Sequence, residues 1–375
     1  MKILMILSNP FMTDLRVYNE AKALTDAGHE VTVIVWDRRC EYKSKDVVEG
    51  TRLFRLRNNL LMKILPNDLF RNPIWWRKAY KKGLEQRKKG FDFDVVHCHD
   101  FDTLKTGIWL KKKTGCKLVY DAHEIFGYMI EDDVPKFLVK YVFSLEKKLI
   151  KNVDHIITVN KPLENYFKKI SRKPITIVMN CKDIISKSYK SPKNDVFTIV
   201  YIGTISKRRF FPDLVNELAK ISKIKFLIAA KNERNKAYLQ VKNRSLNHEN
   251  VEFLGTIPFN EVILLTFKAN TVINAANPSS IKSKIETPNK LLEAMACGRP
   301  IICNKGTYAG EITKKLNCGL VVNYNLKAIR TAVKKLRDEP KLCEKLGKNG
   351  LKYALKYYNW DKQKEKLLQV YEKLK

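Results

Sequence analysis

Short apolar runs alternate with amphipathic stretches of helical period along this chain, and the alternation starts twice. Residues 2–7, 31–36, 51–57, 95–97, 117–120, 156–159 and 175–179 read as strands, with helices between most of them. The first of those helices, 15–27, is closed by Gly28. A polar stretch rich in Lys and Ser, 182–195, reads as a linker, and the pattern then restarts. The second series runs through 197–202, 225–230, 251–254, 271–274, 300–303 and 319–322. Strand and helix in alternation imply parallel sheets covered on both faces. A chain of 375 residues is too long for one ordinary core and suits two such α/β domains. Ligands in these sheets sit at the carboxyl ends of the strands, so the active site is expected in a cleft between the two halves.

Charge narrows the partners. Lys and Arg number 72 against 39 Asp and Glu, a formal net charge of +33, so ion pairing cannot absorb the excess. A surface this basic attracts polyanions, either nucleic acid or an anionic membrane face. The 8 cysteines are scattered, with no C-x-x-C, which suits reduced structural thiols in a cytoplasm. No apolar run reaches about eighteen residues, so no membrane span is expected. MKILMILSNP is too short for a signal peptide and reads as the first strand.

The stretch TPNKLLEAMACGRP, 287–300, is the most informative for function. Thr287 is placed to cap a helix, Pro288 fits its first turn, and Gly298 is a natural stop. A helix start carries free N–H groups and partial positive charge, which suits a phosphate. Glu293, about one and a half turns in, is able to accept two hydrogen bonds from a vicinal diol such as ribose. One element would then grip the diphosphate near Asn289 and Lys290 and the ribose at Glu293. The same residues also fit an ordinary amphipathic helix with a solvated Glu.

This stretch resembles the donor-site helix of the retaining glycosyltransferase family 4, in the pattern P-x-K-x-x-E-x-M-A-x-G-x-P. Further segments resemble the family in the same order: DLRVYNEAKALTDAGHEVTVI, FDVVHCHD, VYDAHEIF, VDHIITVN, IVMNCKD and YIGTISKRRF. The resemblance implies the GT-B architecture, two Rossmann-like domains with a cleft between them. Residues 1–185 would form the acceptor domain and 186–355 the nucleotide-sugar donor domain. Residues 356–375 resemble the family's terminal helix, which often returns to the first domain.

The resemblance also nominates residues. His123 matches the strand-end His that contacts the donor sugar, although a loop histidine bonded to backbone fits the residues as well. Arg209, in the loop after Gly203, matches a Lys or Arg that neutralises the leaving diphosphate, with Arg208 beside it. Phe210 stands where the family has Gly, and Thr204 where it often has Arg. Many members carry E-x7-E ahead of the donor helix; here Glu286 and Glu293 make E-x6-E, one place off. Arg16, at the start of the first helix, is either an acceptor contact or a helix-surface charge. Glu311 follows Gly310 in a segment resembling a family G-x-E near the donor phosphates. His97, His99 and Asp100 invite a metal reading, but with neighbouring strand side chains sent to opposite faces only His99 and Asp100 are expected to share the cleft. No metal is expected, since the family uses none there, and the DxD-like Asp92–Asp94 and Asp100–Asp102 are set aside because two Rossmann halves contradict the GT-A fold.

The expectation is therefore a metal-independent, retaining GT-B enzyme without a cofactor. It would move a sugar from a UDP- or GDP-sugar to an acceptor hydroxyl, with the bound diphosphate helping to take the acceptor proton. Two rivals stand beside it: a UDP-sugar 2-epimerase of the same fold, and a non-enzymatic basic scaffold for nucleic acid. The chain has no RRM, KH or zinc pattern, so nucleic acid is not the expected partner. Between Arg52 and Lys89 twelve basic residues face only Asp68 and Glu85, interleaved with aliphatics and aromatics. Trp75, Trp76, Lys81 and Lys82 are expected to touch an anionic membrane there, placing the protein peripherally on the cytoplasmic face with a lipid-linked or membrane acceptor. The plainer reading makes the two tryptophans core residues.

Overall fold

In the computed structural model, residues 1–65, 68–131, 133–231 and 236–375 are described. They form two compact units, Met1–Met179 with Gln363–Lys375, and Asn180–Lys362. The first division falls six residues before the expected boundary. The stretch 182–195 is no free linker: Arg299 donates to the Lys190 carbonyl at 2.8 Å, and Ile184 packs on a second-unit core. The terminal segment joins the first unit from Gln363, not from 356. There the Gln363 side-chain oxygen accepts from the Met179 amide at 3.1 Å, and the Tyr371 hydroxyl meets His97 Nδ1 at 2.6 Å.

The first unit holds strands β1 (Lys2–Leu7), β2 (Glu30–Asp37), β3 (Lys45–Val48), β4 (Thr51–Arg57), β5 (Val95–His99), β6 (Lys117–Ala122), β7 (His155–Thr158) and β8 (Ile175–Ile177). Their order is β3-β4-β2-β1-β5-β6-β7-β8, parallel except for β3 on β4. That antiparallel edge strand, absent from the sequence reading, is Lys45–Val48, whose residues are mostly exposed and so give no apolar run. The second unit holds β9 (Phe197–Ile202), β10 (Ile224–Ala229), β11 (Val251–Gly255), β12 (Thr271–Asn274), β13 (Ile301–Asn304) and β14 (Gly319–Val322), in the order β11-β10-β9-β12-β13-β14. All its described pairings are parallel.

Both sheets are apolar on both faces, as helices covering a parallel sheet require. Ile3 through Leu7 of β1 are buried throughout, and Ile199, Val200 and Tyr201 are buried in β9. In each sheet the chain reverses its direction of growth once, between β1 and β5 and between β9 and β12. A crevice opens at the carboxyl ends of the strands at such a switch point. Among the described residues no helix is long and apolar enough to cross a membrane. None of the eight cysteines is in a disulfide, and only Cys40 is exposed.

The membrane expectation for 75–82 is corrected at its centre. Residues 66 and 67 of the wider 60–90 stretch lie outside the described residues. On the helix Asp68–Lys88, Trp75 is 0% exposed, and its ring stacks on Trp36 with centroids 5.2 Å apart. Trp76 is half-buried, donates from its indole N–H to the Asp102 carbonyl, and carries Lys105 over its ring. Lys82 is half-buried, pairs with Glu85 at 2.9 Å and lies over Phe54, while Lys81 alone of the four is exposed. Helical period aims the tryptophans at the sheet, where they bury more apolar area than a surface would. Trp75→Ala is accordingly expected to cost about 3–5 kcal/mol of stability in urea unfolding. A variant as stable as the parent would place the ring outside the core.

Candidate functional site

At the switch point of the second unit, β9 ends at Ile202 and the backbone turns through Gly203 with φ +144°. A Cβ at Gly203 would stand 2.8 Å from Lys290 Nζ, so glycine is needed both for the backbone angle and for the approach of that lysine. Lys290 lies on the helix Asn289–Ala296, is 7% exposed, and sits over the Tyr201 ring at 4.7 Å. Arg209, half-buried in the short turn Lys207–Arg209, is close enough to act on Tyr201, whose hydroxyl donates to the Thr204 carbonyl. Burial, and then the Arg209 charge, push the Lys290 ammonium down to about 7, against the pull of Glu293 and Glu286. Two cations thus lie near Tyr201, Lys290 buried over its ring and Arg209 half-buried.

Glu293 follows Lys290 by three positions, which puts both on one side of the helix. It is 5% exposed, not solvated or partly open, and burial raises its pKa despite Lys182 and Lys290. Lys182 Nζ lies 3.7 Å from its Oε1. The helix starts at Asn289 with Pro288 as its N-cap, so Thr287 is not the capping residue. Gly298, at φ +64°, follows its end. Glu286 is exposed just after the short helix Ile281–Ile285, yet close enough to act on Lys290. Asn289, Arg208 and Glu311 are exposed, Glu311 in the first turn of the helix Tyr308–Leu316. Phe210 takes φ +63° at the family's glycine position. That angle costs a side chain about 1–2 kcal/mol, and stacking on Tyr324 at 4.2 Å offsets it.

The strand ends of the first unit converge on a buried polar cluster. Arg16, expected at a surface or an acceptor, is instead 7% exposed and grips both Asp121 oxygens, the closest pair at 2.8 Å. It also reaches Glu20 at 3.0 Å and donates to the Val178 carbonyl at 2.7 Å. Burial opposes its charge, but Asp121 and Glu20 more than restore it. Burial likewise opposes ionisation of Asp121, and Arg16 and His123 hold it well below the usual carboxylate range. His97 and His99 stack at 4.3 Å, both fully buried and pushed down by burial towards the neutral form. This corrects the expectation that only His99 and Asp100 could act together: residues two apart on a strand share a face. Donor atoms of Glu20, His97, His99 and Asp121 lie within 4.8 Å of one another. Arg16 already supplies positive charge between the two carboxylates, so the set is a guanidinium-centred network.

His123 stands at the open side of this cluster with 14% of its side chain exposed. Its Nε2 faces Asp121 at 3.2 Å and its Nδ1 faces Asp100 at 3.3 Å. Asp100 also accepts the His123 amide at 3.0 Å from a backbone held at φ +62°. Such strain in a residue other than glycine is found where surrounding contacts enforce it. Burial works against a charged His123, but Asp100 and then Asp121 outweigh it and push the imidazole up to about 10. Burial pushes the Asp100 carboxyl up to about 7, with His123 pulling the other way.

Of the residues the sequence nominated, the structure brings Gly203, Arg209, Lys290, Glu286 and Glu293 to one place and His123 with Asp100 to another, a pairing not made by sequence reasoning. That reasoning also missed Tyr201, Lys182, Glu20 and Asp121. The two-residue spacing of Asp121 and His123 was the available sign that they share a face. His123 is expected to remain an imidazolium through pH 8, because its folded pKa lies above the ordinary value. Two-dimensional NMR of the ring nitrogens checks this, and a midpoint near 6.5 would contradict the two-carboxylate clamp.

Residues 15–184 match the family described as Glycosyltransferase Family 4, and residues 196–339 the one described as Glycosyl transferases group 1. MJ1607 of Methanocaldococcus jannaschii, described as an uncharacterized glycosyltransferase, is 24% identical over 380 residues, covering 94% of this chain and 92% of that protein. Among solved structures, sucrose-phosphate synthase from Thermosynechococcus elongatus aligns over 100% of this chain and 99% of its own, at 16% identity and a TM-score of 0.79. Anabaena HepE in complex with UDP-glucose aligns over 100% of both chains, at 14% identity and a TM-score of 0.72. These likenesses show the GT-B fold with its two parallel-sheet domains. With both family matches in their expected order along the chain, this protein belongs to glycosyltransferase family 4 and is a glycosyltransferase.

Proposed function

We propose that this enzyme transfers a sugar, with retention, from a UDP- or GDP-sugar to an acceptor hydroxyl on a membrane-borne glycan or lipid. The observation that carries the donor half is the pair of cations at the end of β9. Lys290 is held near neutrality by burial and by Arg209, so an incoming diphosphate restores its charge. Glu293, on the same side of the same helix, accepts from the ribose hydroxyls. Lys290, Arg209 and the amides at the helix start meet the charge that develops on the leaving diphosphate. In this reading no divalent ion is required. The diphosphate oxygen, held on the reacting face, takes the acceptor proton as the glycosidic bond breaks.

The sugar end of the reaction is assigned to His123 and Asp100. Both ring nitrogens of His123 face carboxylates, so it contributes a fixed positive charge, not a proton that comes and goes. Glu286 and Glu311 are assigned outer contacts to the donor, since both are exposed. HepE holds UDP-glucose, and UDP-glucose is therefore the first donor to try. The membrane-borne acceptor is supported by the net charge of +33, far beyond what one diphosphate needs.

Titration calorimetry with UDP in EDTA tests the donor site. Lys290 is lowered to about 7 when free, and bound anion raises it. Protons are then taken up on binding, and affinity should fall by up to about tenfold per unit as pH rises from 7 to 8.5. Flat affinity over that range, or binding seen only with Mg²⁺ or Mn²⁺, would sink the assignment. Glu293→Gln keeps the shape but removes the charged acceptor, and should cost about ten- to a hundredfold in kcat/KM. Parental turnover in that variant removes Glu293 from the ribose site.

A further inference from the structure

We propose that the outer face of the helix Lys136–Leu149 docks this protein on an anionic lipid surface. The inference builds on the membrane-borne acceptor proposed above and names the surface that would meet the bilayer. This helix did not stand out in the sequence, where the basic, tryptophan-containing stretch further upstream drew attention. Its inner side is fixed: Val142 is buried, and Glu146 turns inward to accept from the hydroxyls of Tyr120 and Tyr166, each at 2.8 Å. The single acid of the helix is thereby removed from its surface.

The outer side is of the opposite character. Phe137 is 68% exposed and Tyr141 60%, one helical turn apart and hence on the same face. Lys136, Lys140, Lys147 and Lys148 are exposed around them. Outside the helix the nearest described acids in sequence are Glu131 and Asp133 before it and Asp154 after it, the last paired with Lys111. At the far end, Lys151 lines a hollow of about 640 Å³ with Lys168, Lys169, Ser171, Arg172 and Lys173. That lining has five cations, and Ser171 is its one uncharged polar side chain, so it suits a lipid phosphate. Large aromatics on a convex helix face cost exposed apolar area in water and gain it back within a headgroup layer. Cations flanking them meet the lipid phosphates. Leu60, Leu61 and Ile64 are also exposed, but Lys63 is the one charge among them, so they lack the second ingredient.

The test is vesicle sedimentation with the purified full chain, using phosphatidylcholine alone or with about a third phosphatidylglycerol. Binding is expected only with the anionic lipid, and should fall at least about tenfold between 50 and 300 mM salt. Phe137→Ser with Tyr141→Ser should remove most of it, and so should Gln at Lys140, Lys147 and Lys148. Leu60→Ser with Ile64→Ser serves as the control and should leave binding unchanged. Circular dichroism melts and UDP calorimetry on every variant confirm the fold and the donor site. Loss of vesicle binding with intact UDP binding then belongs to this face alone. No binding to anionic vesicles overturns the proposal. So does binding that survives the Phe137/Tyr141 change, or a single-stranded oligonucleotide that competes fully while that change has no effect on either ligand.

Discussion

A parallel sheet covered by helices on both faces leaves its ends as the place for polar chemistry. Strand interiors such as Ile3–Leu7 and Ile199–Tyr201 are buried, and their amides and carbonyls are spent on the ladder. At a switch point the two adjoining crossovers leave in opposite directions, and the carboxyl ends between them stay uncovered. Each unit obeys this constraint. Gly203, Arg209 and Lys290 gather beyond β9, while His99, Asp100, Asp121 and His123 gather beyond β5 and β6.

The two gatherings handle charge in opposite ways. In the first unit opposite charges interlock: Arg16 bridges Asp121 and Glu20, and His123 is clamped between Asp121 and Asp100. Removing one partner from such a buried set leaves the other uncompensated, which costs far more than the pair itself contributes. The result is a tightly interlocked arrangement. In the second unit burial, and then repulsion from Arg209, loosen the hold of Lys290 on its proton against the pull of Glu293 and Glu286. An anion relieves that repulsion. The first arrangement suits holding a geometry, and the second suits receiving a ligand.

The same contrast governs the surface. The two tryptophans between residues 60 and 90 lie where apolar rings gain most, Trp75 against Trp36 in the core and Trp76 half-covered under Lys105. Phe137 and Tyr141 stand outside because Val142 and Glu146 already occupy the inward positions of their helix. Both stretches mix basic residues with aromatics, and helical phase against the packed neighbours separated them.

Strand and helix order, the division into two units and the helix Asn289–Ala296 followed from the sequence, because hydrophobic period and turn residues are local properties. Thr51–Arg57, Phe197–Ile202 and Gly319–Val322 fell where the apolar runs put them, and Gly298 ended its helix at a positive φ. The packed fate of 182–195 was not legible, since it depends on Arg299, more than a hundred residues away. Nor was the partnership of Arg16 with Asp121, 105 positions apart, which turns a helix-start arginine from a surface charge into a buried anchor. The identity of a side chain fixes what it is able to bind. Only tertiary structure decides which distant groups share its small volume of low dielectric, and hence whether Lys290 is charged, Glu293 is solvated or Trp75 meets water.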